Sequence, residues 1–125
     1  MATTPLTALI LEDEPLIALD LEDMLELAGF EATRTSDSCA DALRWLEAET
    51  PSLALLDICL KDGLCTEVAA LLKAKNIPFV ICSGAHPQDF SEFLSAENWL
   101  SKPMSHAALL TALRDALPDV YFVAA

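Results

Sequence analysis

A chain of 125 residues, 54% of them hydrophobic, can fill one buried core and leaves little room for a second domain. Twenty acidic residues against seven basic ones give a formal charge of −13, which argues against direct nucleic-acid binding because phosphate backbones need a basic face. No apolar stretch approaches the roughly 20 residues of a membrane-spanning helix, and Met1–Thr7 lacks a basic segment followed by an apolar one, so the expectation is a cytoplasmic protein without membrane insertion.

The first apolar run, Ala8-Leu9-Ile10-Leu11, reads as a buried strand and leads directly into Glu12-Asp13-Glu14. Pro15 suits a first helical turn, Leu16 to Ala28 carry helical spacing, and Gly29 stands at the usual C′ position. The weakly apolar stretch Phe30–Thr35 predicts an edge strand. Ser38 and Asp41 have capping-box spacing for a second helix with Ala42, Leu43, Leu46 and Trp45 available for its inner face. Pro51 breaks the chain before Leu53-Ala54-Leu55-Leu56, a second buried strand that runs into Asp57.

The stretch Ile58–Cys65 reads as a loop with a tight turn at Gly63. Thr66 is the expected cap of a third helix bearing Val68, Ala69, Leu71 and Leu72, which Asn76 ends. Phe79-Val80-Ile81-Cys82 forms the next strand and ends at Ser83. Phe90, Phe93 and Leu94 have the spacing of a short helix between Gly84 and Asn98. Trp99-Leu100 is a brief last strand before Ser101-Lys102-Pro103. Ser105 then starts a helix with Ala108, Leu109, Ala112, Leu113 and Leu117 inward. The apolar tail, Val120–Val123, is expected to pack on the body or touch a partner. The core is taken as about residues 7–117, the tail as 118–125, and the whole of 1–125 as a single domain.

Five strands separated by helices predict an α/β fold with a parallel sheet, of flavodoxin-like strand order 2-1-3-4-5. Cys39, Cys59, Cys65 and Cys82 form no C-x-x-C pair, and His86 and His106 are not placed for zinc. The expectation is four structural thiols without disulfides.

Ligands of open α/β sheets bind beyond the carboxyl ends of the strands, at the switch point between the first and third strands. Those are the strands ending at Glu12-Asp13 and at Asp57. Hard cations such as Mg²⁺ take oxygen ligands and commonly one or two carboxylates with phosphate oxygens. Glu12 and Asp13 are therefore candidates for holding the cation, and Asp57 for a nucleophile that forms an aspartyl phosphate. The Lys102 ammonium can neutralise phosphoryl oxygens and the Ser83 hydroxyl can hydrogen-bond the product. Each residue also has a plainer reading: acids favour the first turn of a helix, and a serine or lysine of this kind is often a turn or surface residue. Only their joint occurrence at strand ends selects the chemical one.

On these residues the sequence resembles the receiver domains of two-component response regulators, the fold family of the chemotaxis response regulator, across about Thr7 to Leu117. The acidic pair Glu12-Asp13, Asp57, Ser83 and Lys102-Pro103 carry the likeness. The resemblance implies phosphoryl transfer to Asp57 from a sensor histidine kinase or a phosphotransfer protein. It further implies Mg²⁺ held by Asp13, Asp57, the Cys59 main-chain carbonyl and, through water, Glu12. A Lys102-Pro103 cis bond and a switch formed by Ser83 and an aromatic residue, here Trp99, are implied as well.

The chain departs from the common pattern in having Trp99 for a Tyr or Phe, no proline in the loop after Asp57, and a short Ser83-to-Lys102 interval. With Pro78-Phe79 and Ser83-Gly84 these features resemble the short-fourth-helix receivers of alphaproteobacteria that pair with HWE or HisKA2-type kinases. The implied role is a stand-alone, non-enzymatic response regulator that signals to an unknown downstream protein through altered binding. The alternative is a phosphate sink or phosphorelay intermediate without an output of its own. A haloacid-dehalogenase-like phosphatase would need D-x-D where the chain has Glu12-Asp13-Glu14-Pro15, and a degenerate receiver would lack part of the set.

Overall fold

The computed structural model describes residues 5–84 and 99–120. Strand β1 (Thr7–Leu11) is followed by α1 (Pro15–Ala28), β2 (Ala32–Ser36), α2 (Cys39–Ala48) and β3 (Leu53–Leu56). A two-residue ribbon comes next, β4 (Cys59–Leu60) with β5 (Gly63–Leu64), then α3 (Thr66–Ala74), β6 (Phe79–Ser83), β7 (Trp99–Ser101) and α4 (His106–Ala116). The main sheet is parallel, in the order β2-β1-β3-β6-β7. With the small ribbon set aside, that is the expected flavodoxin-like order.

Alternation along the strands divides the core between the two faces of the sheet. Ala8, Ile10, Leu53, Leu55, Val80 and Cys82 point to one face, where α1 and α4 cover them with Leu21, Leu25, Leu109 and Leu113. Leu9, Leu11, Ala54, Leu56 and Ile81 point to the other, against Ala42 and Leu46 of α2 and Val68 and Leu72 of α3. The central strand β3 is fully buried on both faces, as its continuous apolar run requires.

Local chemistry sets the helix ends. Pro15 opens α1 and Gly29 closes it with φ +113°, a left-handed conformation that glycine adopts without strain. The Ser38 hydroxyl accepts from Asp41 N–H at 3.1 Å, and the Ser105 hydroxyl accepts from Ala108 N–H at 3.0 Å.

Several expectations are corrected. Cys39 and Cys65 are not independent thiols: they form a disulfide with Cα atoms 5.6 Å apart, leaving Cys59 and Cys82 free. The reason is tertiary, because α2 and α3 cover the same face and start side by side. Cys65 rather than Thr66 occupies the N-cap of α3, with no side-chain cap bond. Phe30 is buried in the turn after α1, so β2 starts at Ala32. The stretch after Asp57 is an antiparallel ribbon turning near Gly63, where φ is +120°. The short helix expected around Phe90 to Leu94 lies outside the described residues, as do Tyr121–Val123. Val120 packs against the core beside Leu117.

Candidate functional site

The ends of four parallel strands build one cleft. Register sets Leu11 against Leu56, so Glu12 and Asp57 emerge side by side, and Asp57 N–H donates to Leu11 O at 3.1 Å. Glu12 N–H donates to Ser36 O at 3.1 Å, which ties the end of β2 to the same point. On the other flank Ser83 is the last residue of β6, and Lys102 N–H donates to its carbonyl at 3.0 Å. Residues separated by up to 90 positions are thereby brought within reach of one another.

Glu12, Asp13 and Asp57 each place a carboxylate oxygen within 4.8 Å of the others. The Lys102 ammonium reaches into this cluster. It donates to Asp57 Oδ2 at 2.9 Å and also hydrogen-bonds Glu12 Oε1. Glu12 is 2% exposed, and its other oxygen accepts from Glu14 N–H at 3.2 Å. Asp57 Oδ1 accepts from Cys59 N–H at 3.3 Å, which holds the Cys59 main chain beside the carboxylate.

Burial by itself would lower the Lys102 pKa, but the hydrogen bonds to Glu12 and Asp57 outweigh it and the pKa stands above its ordinary value. One ammonium shared by two of three crowded carboxylates leaves net negative charge in the cleft. An all-oxygen donor set of this charge suits a hard divalent cation, so the residues fit Mg²⁺.

Of the other candidates, Ser83 is buried at the carboxyl end of the sheet and stands in register with Ser101. Trp99 is half-buried on the edge strand, in register with Ile81, and packs toward the α2 and α3 side. The Lys102–Pro103 peptide bond is cis. Cys82 lies beneath the site, and burial pushes its thiol pKa up to about 12.

Sequence reading missed Asp62. Its carboxylate accepts from Cys39 N–H at 2.8 Å and Ala40 N–H at 3.0 Å, so it caps α2 from the ribbon after Asp57. These two bonds hold its pKa below the ordinary carboxylate value. The adjacent Lys61 pairs with Asp37 at 2.8 Å. The Asp62-Gly63 turn was visible in the sequence, but the partner helix was not.

The profile of the response regulator receiver domain matches residues 8–114. The transcriptional regulatory protein PdtaR of Mycobacterium tuberculosis is 30% identical over 118 residues, covering 90% of this chain and 57% of that protein. The phyllosphere-induced regulator PhyR of Methylorubrum extorquens is 33% identical over 117 residues, covering 87% of this chain and 42% of PhyR. This chain thus spans about half the length of these relatives. Among solved structures, SdrG of Sphingomonas melonis Fr1 superposes with a TM-score of 0.80 at 35% identity, covering 93% of this chain and 99% of SdrG. The receiver domain of Erythrobacter litoralis PhyR gives 0.82 at 27% identity, covering 97% and 96%.

Proposed function

Since the chain belongs to the receiver domain family of response regulators, we propose that it is a phosphorylation switch whose acceptor is Asp57. An oxygen of Asp57 attacks the phosphorus of a phosphohistidine on a sensor histidine kinase or phosphotransfer protein. The P–N bond breaks and the imidazole leaves with the electron pair. The observation that carries this reading is the Lys102 ammonium 2.9 Å from Asp57 Oδ2 while also bonded to Glu12. A lysine so held can neutralise phosphoryl oxygens as they arrive, without reorganisation.

Glu12 and Asp13, together with Asp57 and the Cys59 carbonyl, would hold Mg²⁺. When bound, the ion screens the negative charge shared by the carboxylates and the transferring group. Lys102 and the Cys59 N–H orient the Asp57 carboxylate. Ser83, at the end of the neighbouring strand, is assigned to hydrogen-bond the phosphoryl group once attached, with Trp99 as the aromatic member of the switch. Phosphorylation then acts by stabilising one of two conformations more than the other, which changes affinity for a downstream protein.

Residues 1–125 are read as one receiver domain, a reading supported by the match to SdrG over 93% of this chain. In this role the domain modifies only its own carboxylate and turns over no external substrate. Among the described residues no helix is long and apolar enough to cross a membrane.

The test is intact-mass spectrometry after incubation with MgCl₂ and acetyl phosphate. Wild type should gain one phosphoryl adduct, and Asp57→Asn should gain none. An adduct of equal yield on the variant, or none on wild type, overturns the assignment.

A further inference from the structure

We propose that Cys39 and Cys65 form a reversible redox latch that stiffens the cation cleft, an inference that rests on the cation-binding reading of Glu12, Asp13, Asp57 and the Cys59 carbonyl. Cys39 is the first residue of α2 and Cys65 the N-cap of α3. Their Cα separation of 5.6 Å falls within the span a disulfide bridges without backbone movement. The ribbon between Asp57 and Cys65 carries the Cys59 main chain, so it is anchored at one end by β3 and at the other by this bond. Two further ties run the same way. Asp62 on the ribbon caps the first N–H groups of α2, and Cys65 N–H donates to Ile58 O at 2.8 Å. The covalent bond, the cap and the backbone bond thus converge on the segment that supplies one side of the cleft.

Cys65 is fully buried and Cys39 9% exposed, so exchange enters through Cys39. Closing the latch is thiol–disulfide exchange with a low-molecular-weight disulfide. The two protein thiols lose two electrons and two protons as the S–S bond forms, and the small disulfide takes them up to become two thiols. A dithiol reductant reverses the step. With the latch open, the ribbon gains freedom that cation binding must remove again, so affinity falls.

The experiment equilibrates the protein with oxidised glutathione or with dithiothreitol and maps free thiols by alkylation under denaturing conditions. MgCl₂ is then titrated calorimetrically in each state. Oxidised protein should carry Cys39 and Cys65 as one internal disulfide that resists alkylation, and reduced protein should alkylate at all four cysteines. The Kd for Mg²⁺ should rise by about fivefold on reduction, and the Tm should fall by about 10 °C as a cross-link closing a 26-residue separation is lost. Cys39→Ser should match the reduced protein under both conditions, and reduced wild type serves the same purpose should that variant fold poorly. Failure of Cys39 and Cys65 to oxidise, or equal Kd values in both states while Mg²⁺ still binds, overturns the latch alone. Absence of Mg²⁺ binding in both states overturns the cation site and the latch with it.

Discussion

Replacing Lys102 by methionine keeps the length of the side chain and removes its charge, which separates two effects of opposite sign. The ammonium is 2.9 Å from Asp57 Oδ2, and the side chains of Lys102, Glu12 and Asp57 are 18%, 1% and 13% exposed. At an effective dielectric of about 20, a pair at that distance attracts by roughly 6 kcal/mol before desolvation is charged against it. Breaking a well-buried pair costs about 3–5 kcal/mol, and this cleft opens to water, so about 2–3 kcal/mol is expected in chelator. That corresponds to a Tm lower by about 10 °C for a domain of this size.

With cation present the balance shifts, because the ammonium and Mg²⁺ draw on the same carboxylates. Removing the ammonium relieves its repulsion of a divalent ion held on those carboxylates, on the order of 1.4 kcal/mol net of solvent screening, or about tenfold in Kd. The variant should therefore bind Mg²⁺ more tightly than wild type and recover about 1.4 kcal/mol of its deficit at saturation. Paired thermal melts in EDTA and in saturating MgCl₂, with a calorimetric titration, measure both quantities. An identical Tm deficit in the two buffers, or weaker Mg²⁺ binding, would refute the shared-carboxylate account.

The raised Lys102 pKa adds a check of sign. Its stabilisation is fully present below the unfolded value of 10.5 and is lost as pH rises through the higher folded value, so this alkaline loss should be missing from Lys102→Met.

Asp62→Asn should lower the Tm at neutral pH. The Asp62 pKa is depressed by the N–H groups it caps, so its stabilisation is present above the unfolded 3.8 and is lost as pH falls through the lower folded value; melts of variant and wild type should converge in strong acid. Leu55→Ala, in the fully buried central strand, should cost about 3 kcal/mol in denaturant titrations without altering the yield of phosphoryl adduct per folded molecule. In native protein at neutral pH, iodoacetamide should label exposed Cys59 and spare Cys82, whose thiol burial pushes up to about 12; peptide mapping that finds Cys82 labelled first would contradict the packing under the cleft.

The parts of this fold that sequence reading captured are those with strong local causes. Ala8–Leu11, Leu53–Leu56 and Val80–Cys82 are buried on both faces, and such strands need continuous apolar runs that stand out by eye. Gly29, Ser38 and Ser105 mark helix ends because their caps are made within three residues. What escaped has nonlocal causes. Strands of two residues, like Cys59–Leu60 and Gly63–Leu64, have no room for a period. Asp62 caps a helix more than twenty positions earlier in the chain, and the Cys39–Cys65 bond depends on two helices starting side by side. The site was legible in its members, since Glu12, Asp13, Asp57 and Lys102 each follow or adjoin a strand. It was not legible in its wiring: nothing in the order of residues says that the lysine divides itself between Glu12 and Asp57.

Strand β7, which delivers that lysine, is the shortest of the five in the main sheet and stands at its margin with one neighbour. Its far end is moored by Coulomb attraction to the middle of the sheet as well as by the ladder to β6. Any event that alters the charge on Asp57 therefore changes the load on that mooring, and the outermost strand receives it before the two buried cores do.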